Sequence, residues 1–248
     1  MKIIGHRGAA GLALENTTES IMAAIDAGVD AIEFDIRVTK DNELVLSHDR
    51  NLQRVTSQPS RWELYIERVI RKGPNIQQQR LATLKKIPLN NGQKVPTLSE
   101  AAKAAGRIPI VIEGKDNNWA DPLAKFIKQH PRVAIHGVIS FNHRELFIFS
   151  QLMPDIPVFA IEQTKPLDVI RAAHFFGFTG IDVNFWILNP LTYALARYYK
   201  LDIIVYAVNK PWIARFLRLL YPRISITTDV PDQLQFLRKK PRLIRKNK

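Results

Sequence analysis

The stretch Ile32-Glu33-Phe34-Asp35-Ile36-Arg37-Val38, then Thr39-Lys40-Asp41-Asn42, then Glu43-Leu44-Val45-Leu46-Ser47-His48-Asp49, decides how the chain is read. Residues i and i+2 of a β-strand share a face. Glu33 and Asp35 therefore stand side by side, with Ile32, Phe34 and Ile36 on the opposite face. Adjacent carboxylates repel and are costly to bury without partners. A divalent cation bound by oxygen ligands is the simplest remedy. Only Lys40-Asp41-Asn42 or thereabouts separates Val38 from Leu44, far short of the dozen or more residues a parallel crossover needs. Leu44 to His48 is therefore predicted to turn back antiparallel, as a hairpin with Asp41-Asn42 at the turn.

Working outward toward the N-terminus, Lys2-Ile3-Ile4-Gly5 reads as a short strand ending in His6-Arg7-Gly8. Glu15-Asn16-Thr17-Thr18 offers helix-start chemistry, Ser20 to Ala27 carries apolar residues at helical spacing, and Gly28 is a natural C-cap. With the strand Asp30 to Thr39 this makes a βαβ unit. Toward the C-terminus, Arg50 to Lys94 has little periodicity beyond an amphipathic helix over Glu63 to Lys72, and residues 50–95 are predicted to be a small insertion that caps the site. Pro96-Thr97-Leu98-Ser99-Glu100 looks like a capped helix start. Strands and helices then alternate. Strands are predicted over Ile108 to Glu113, Val133 to Ser140, Pro157 to Glu162, Gly180 to Val183, Asp202 to Val208 and Ile224 to Thr228, with a final helix from Pro231.

With the hairpin strand set aside, eight strands remain, each followed by a helix. That pattern predicts an α/β fold, a closed (β/α)8 TIM barrel with an extra antiparallel hairpin strand after the second barrel strand and a small insertion. No Gly-rich dinucleotide fingerprint follows the first strand, which argues against a Rossmann arrangement. His6, Arg7, Glu33, Asp35, Glu113, Lys115, Asn209 and Asp229 fall at carboxyl ends of strands, where such a barrel holds its site.

The 248 residues suit one catalytic domain, 1–237, followed by a basic tail, 238–248. No cysteine is present, which excludes disulfides, zinc–thiolate sites and cysteine nucleophiles. The N-terminus lacks a signal-peptide core and no apolar run approaches a membrane span, so a cytoplasmic location is expected. The net charge is +13, with seven basic residues in the tail (Arg238, Lys239, Lys240, Arg242, Arg245, Lys246, Lys248). Such a tail could associate weakly with an anionic membrane or simply be solvated; no specific nucleic-acid partner is expected.

Glu33, Asp35 and Glu113 give three carboxylates on neighbouring strands. Oxygen-only ligation suits one divalent cation, Mg²⁺ or Ca²⁺, with Mn²⁺ also admitted. The competing reading is an interior ion pair with Arg37, Lys115 or another cation. His6 and His48 could serve as general acid and base, since imidazole titrates near neutrality. His130, His136, His143 and His174 are expected to be structural or exposed. Arg7 and Lys115 could clamp a phosphate, neutralise the acids, or do both. A metal, two cations and two histidines together point to phosphoryl transfer.

At these residues the chain resembles the glycerophosphodiester phosphodiesterases. The resemblance rests on the ordered series His6-Arg7-Gly8, Glu15-Asn16-Thr17, Glu33-Phe34-Asp35, Thr39-Lys40-Asp41, Ser47-His48-Asp49, Pro96-Thr97-Leu98, Glu113-Gly114-Lys115, Ser140-Phe141, Val208-Asn209 and Thr228-Asp229. It implies a (β/α)8 barrel, one divalent cation held by Glu33, Asp35 and Glu113, His6 and His48 as the acid–base pair, and Arg7 and Lys115 near the phosphate. The substrate would be a small-molecule glycerophosphodiester. The implied reaction is attack of the glycerol 2-hydroxyl on phosphorus, then hydrolysis of the cyclic phosphate to sn-glycerol 3-phosphate. Leu14 replaces a usual proline, Asn42 a usual glycine, and Tyr206-Ala207 a usual Trp-Thr. Two other readings compete. One is a phospholipase-D-like lyase acting on lysophospholipids or sphingolipids through an apolar groove of Trp62, Tyr65, Phe175 and Phe176. The other is a membrane- or nucleic-acid-binding module with a vestigial site.

Overall fold

Short apolar runs bounded by turn residues form the strands, and the amphipathic runs between them form the helices. The structure is a computed structural model that describes residues 1–56 and 75–238. The strands are β1 (Lys2–Gly5), β2 (Ala31–Val38), β3 (Leu44–Leu46), β4 (Ile110–Gly114), β5 (Ile135–Ser140), β6 (Val158–Glu162), β7 (Gly180–Asn184), β8 (Asp202–Tyr206) and β9 (Ile224–Thr228). All except β3 pair in parallel, in the order β1-β2-β4-β5-β6-β7-β8-β9. The ring closes where β1 meets β2 through Ile4↔Ala31 and β9 through Ile3↔Ile226. This is the closed eight-stranded barrel expected from the sequence.

β3 lies outside the ring, antiparallel to the far half of β2, with Leu46 opposite Ile36 and Leu44 opposite Val38. β1 has already ended at Gly5, so β2 projects beyond its neighbour and its last residues are free to pair with the returning chain. Asn42 takes φ +60° in the turn, a conformation asparagine tolerates.

The helices are α1 (Thr18–Asp26), α2 (Leu81–Leu84), α3 (Leu98–Ala105), α4 (Ala120–Gln129), α5 (His143–Leu152), α6 (Pro166–Phe176), α7 (Pro190–Tyr198) and α8 (Pro211–Leu220). Two start with capping boxes, Thr17 with Ser20 and Thr97 with Glu100. α6, α7 and α8 begin with proline, whose missing N–H costs nothing in the first turn. The final element differs from expectation. Pro231–Leu237 is a 3-10 segment rather than an α-helix, and it packs Leu234 and Leu237 into the core between strands and helices, against β1 and α8.

The main core lies between strands and helices. A smaller one fills the barrel interior with Ile4, Ala31, Val111, Ile139, Phe159, Ile161 and Ile204. This inner plug occupies the lower and middle layers, which leaves inward positions at the carboxyl ends of the strands to polar side chains. Of the insertion, the described parts pack Leu52, Ile76, Leu84 and Val95 on Val45 of β3. The expected helix over Glu63 to Lys72 lies outside the described residues, as do residues 239–248 of the tail.

Candidate active site

Glu33 and Asp35 on β2 and Glu113 on β4 point into the mouth of the barrel, with Asp35 level with Glu113 in the parallel register. All three are at least 94% buried, at 1%, 0% and 6% exposure, and ligand atoms from each lie within 4.8 Å of one another. Among the described residues Glu33 Oε1 has no partner, and Asp35 Oδ1 and Glu113 Oε1 meet only the Lys115 ammonium. Unsatisfied buried carboxylate oxygens aimed at a common centre fit a hard divalent cation. Arg37 is not their counter-ion: it pairs with Asp116. Lys115 does offset them, with Nζ 3.0 Å from Asp35 Oδ1 and 2.6 Å from Glu113 Oε1.

Burial, aggravated by Asp35 and Glu113, pushes the Glu33 carboxyl well above its usual range. Burial likewise raises Glu113 to about 7 against the pull of Lys115. For Asp35, burial is outweighed by Lys115 and Arg7, which hold it well below the usual carboxylate range. Burial, and the repulsion between ionised carboxylates that share one site, make two of the three resist ionisation.

The Arg7–Gly8 corner after β1 brings in the first cation. Arg7 has φ +51° and Gly8 φ +87°, and a Cβ on Gly8 would lie 2.3 Å from Ser20 Oγ, so only glycine fits beside α1. The turn points the Arg7 backbone N–H at Glu33 Oε2 (2.8 Å) and its guanidinium at Asp35 (3.1 Å) and Glu15 (3.0 Å). Asn16, at φ +55°, grips Asp35 from both sides: Nδ2 donates to Oδ2 at 2.8 Å, and Oδ1 accepts from the Asp35 backbone N–H at 3.2 Å.

Each histidine has a carboxylate behind it. His6 Nδ1 lies 2.6 Å from Asp229 Oδ1, and Asn209 Nδ2 donates to the other Asp229 oxygen. Asn209 Oδ1 in turn accepts from the Asp229 backbone N–H and from the Thr228 hydroxyl, at 2.9 and 3.1 Å. His48 Nδ1 lies 2.8 Å from Asp49 Oδ1. The His48 carbonyl accepts from Arg37 Nε at 3.1 Å and also from Nη2, which fixes the backbone of the returning hairpin. Burial, aided by Lys115, lowers the His48 pKa. With Nδ1 occupied, Nε2 is the nitrogen of each ring left for proton transfer.

His6, Arg7, Glu33, His48, Glu113 and Lys115 line one side of a cavity of about 110 Å³. Ile139, Phe141, Ile161, Gln163, Asp182 and Tyr206 are on its other walls. All seven residues singled out in the sequence thus come together, Asp35 lying behind the wall. The remaining histidines lie elsewhere: His130 Nδ1 bonds to Phe126 O (2.9 Å), His143 Nε2 to Ile161 O (3.1 Å), His174 rests on Tyr199, and His136 sits at the start of β5. Phe175 and Phe176 end α6 at the opposite end of the barrel and do not line the cavity, and Trp62 and Tyr65 lie outside the described residues.

Sequence reasoning gave no site role to Asn16, Arg37, Asp49 or Asp182. Asn16 and Asp49 stood inside the quoted motifs, so their position was a usable signal. Asp182 was not: it is a lone acid in a continuous apolar strand, 2% exposed, with Oδ1 unpartnered among the described residues and its pKa raised well above normal, mainly by burial.

A closed βα barrel with buried acids, two cations and two carboxylate-backed imidazoles at its mouth defines a class, that of barrel enzymes built to handle an anionic ester. The profile of the glycerophosphoryl diester phosphodiesterase family matches residues 6–233, and the chain belongs to that family. YhdW of Bacillus subtilis (strain 168), a glycerophosphodiester phosphodiesterase by name, is 28% identical over 244 residues, covering 94% of this chain and 96% of its own. A glycerophosphodiester phosphodiesterase structure from Parabacteroides distasonis ATCC 8503 has 25% identity and a TM-score of 0.76, covering 95% of both chains. An Oleispira antarctica phosphodiesterase, solved in complex with the product sn-glycerol-3-phosphate, shares the fold at a TM-score of 0.81 and 19% identity, covering 96% of both chains. Among the described residues no helix is long and apolar enough to cross a membrane.

Proposed function

We propose that the protein hydrolyses a small glycerophosphodiester to sn-glycerol 3-phosphate and an alcohol. The observation that carries this reading is the convergence of three buried carboxylates, with ligand atoms within 4.8 Å of one another and one ammonium between them, beside two histidines tied to carboxylates through Nδ1. Glu33, Asp35 and Glu113 would hold one divalent cation, Mg²⁺ or Ca²⁺ by the hardness of an all-oxygen donor set. When bound, it supplies positive charge against the charge that builds on the phosphoryl oxygens. Arg7 and Lys115 add to that charge and orient the phosphate.

His48, kept neutral by burial and by Lys115, takes the proton of the glycerol 2-hydroxyl as that oxygen attacks phosphorus. His6, backed by Asp229, gives its proton to the departing alcohol oxygen as the phosphorus–oxygen bond breaks. The reverse proton transfers let water open the cyclic phosphate. Residues 1–237 work as one catalytic domain in this reading, with 50–95 as a cap: Arg54 bridges Glu15 (2.6 Å) and Asp49 (2.6 Å) at the rim. The charge of residues 238–248 supports a weak membrane attachment as well.

Phosphorus NMR of the purified protein with glycerophosphocholine tests the proposal. Glycerol 3-phosphate should appear, stop with chelator, and return with Mg²⁺ or Ca²⁺. A cyclic phosphate as the final product would establish the lyase reading instead, and no turnover at saturating metal would refute both. Glu33→Ala should abolish metal-dependent turnover, and His6→Ala and His48→Ala should each lower it roughly 10²-fold or more.

A further inference from the structure

We propose that the outer face of α7 and α8 docks on an anionic lipid bilayer. α8 turns Ile213, Ala214 and Leu217 onto the barrel. Its opposite side carries Trp212, Phe216 and Leu219 at helical spacing, exposed by 67%, 56% and 79%. Neighbouring α7 shows the same pattern, with Leu191 and Tyr198 exposed by 65% and 78%. Ring centroids of Tyr193 and Tyr221, 5.0 Å apart, tie the two helices side by side, with a stripe of large apolar side chains exposed on each. Trp186, on the loop that leads into α7, extends it toward the barrel mouth. Isolated exposed apolar residues are ordinary, but a contiguous field of large ones marks a contact surface.

Charge decides the occupant. Between Phe185 and Ser225 stand Arg197, Lys200, Lys210, Arg215, Arg218 and Arg223 against the single acid Asp202, and neither helix contains an acid. Arg215 and Arg218 flank the α8 stripe, where Arg215 lies over the Phe236 ring at 4.7 Å and Arg218 donates to the Phe236 carbonyl at 3.0 Å. A second copy docked symmetrically would set these cations near their own images, with no acid on either helix to answer them. An anionic bilayer answers both features. Leucine and phenylalanine enter the acyl boundary, tryptophan and tyrosine settle at headgroup level, and the arginines extend to lipid phosphates. α7 and α8 start at the carboxyl ends of β7 and β8, so Trp186 and Trp212 lie at the catalytic end of the barrel. Docking through them brings the cavity mouth to the headgroup layer.

Co-sedimentation of the full chain with phosphatidylglycerol–phosphatidylcholine vesicles, and with phosphatidylcholine alone, tests this surface. Wild type should pellet with the anionic vesicles and not with the neutral ones. The triple variant Trp212→Ser, Phe216→Ser, Leu219→Ser should bind them at least tenfold more weakly, with an unchanged melting temperature. Its turnover of glycerophosphocholine should match wild type, since none of the three residues lines the cavity. Brominated lipid should quench wild-type tryptophan fluorescence more than that of the variant. Any of these results would overturn the proposal: variant binding within twofold of wild type, loss of binding on changing only the basic residues of 239–248 to glutamine, or light scattering that shows a wild-type dimer made monomeric by the triple variant. A wild type that ignores anionic vesicles does so as well. Failure of the hydrolase reading leaves the vesicle measurement intact, because it does not depend on turnover.

Discussion

Asn16 shows how much of the site depends on a residue that would touch neither metal nor substrate. Its side chain donates to Asp35 Oδ2 at 2.8 Å and accepts from the Asp35 backbone at 3.2 Å, which fixes the carboxylate plane. Such supporting partners typically contribute 10- to 100-fold to metal affinity. Asn16→Ala should therefore weaken divalent-cation binding by about that factor, measured by titration calorimetry, while the fold persists. The acids set a pH dependence as well. Glu113, raised to about 7, and Glu33, pushed well above its usual range by burial, hold on to protons at mildly acid pH, so a cation must displace them. Metal affinity should rise between pH 6 and pH 8, with proton release visible as a dependence of the calorimetric heat on buffer ionisation. Asp182 yields a third expectation. Its folded pKa lies above its unfolded value, so its contribution to stability is present below about pH 4 and is lost as pH rises through the folded pKa. Asp182→Asn removes that loss. The variant should melt above wild type at pH 8 and level with it near pH 4.

At the scale of elements, the β2–β3 hairpin decides where His48 goes. Leu46 opposite Ile36, and Ser47 N–H bonded to Asp35 O at 3.1 Å, return the chain to the mouth one residue before the imidazole. Arg37 then holds the His48 carbonyl while pairing with Asp116. Arg37→Met would leave Asp116 as an unpaired buried charge and free the His48 backbone. Stability should fall by a few kcal/mol, about 3–5 by analogy with other broken buried pairs. kcat should drop more than KM rises, measured by steady-state kinetics at a temperature where the variant is folded. The hairpin itself was legible in the sequence because three or four residues cannot support a parallel crossover. The 3-10 character of Pro231–Leu237 was not. Its apolar spacing suits either helix, and in the tighter one Leu234 and Leu237 pack between β1 and α8.

For the molecule as a whole, barrel closure assembles the site. β1 meets β9 and β2 only in the closed ring, and that contact sets His6 against Asp229, 223 residues away in sequence. Asp229→Ala should lower turnover by roughly tenfold or more, measured by steady-state kinetics, because the His6 imidazole loses the partner that orients it. The pairing of Glu33 with Asp35 and the order of strands and helices were determined by the sequence alone, since strand alternation and helical spacing are local properties of the backbone. Only the tertiary structure decided three other matters: that Arg37 serves His48 and Asp116 rather than the acids, that Asp182 faces the cavity, and that the apolar stripe of α8 is left uncovered. A buried parallel strand is apolar on both faces, so its sequence carries no alternation to say which side turns inward. Whether a helix has one partner or two depends on what lies beside it in space, which no local pattern records.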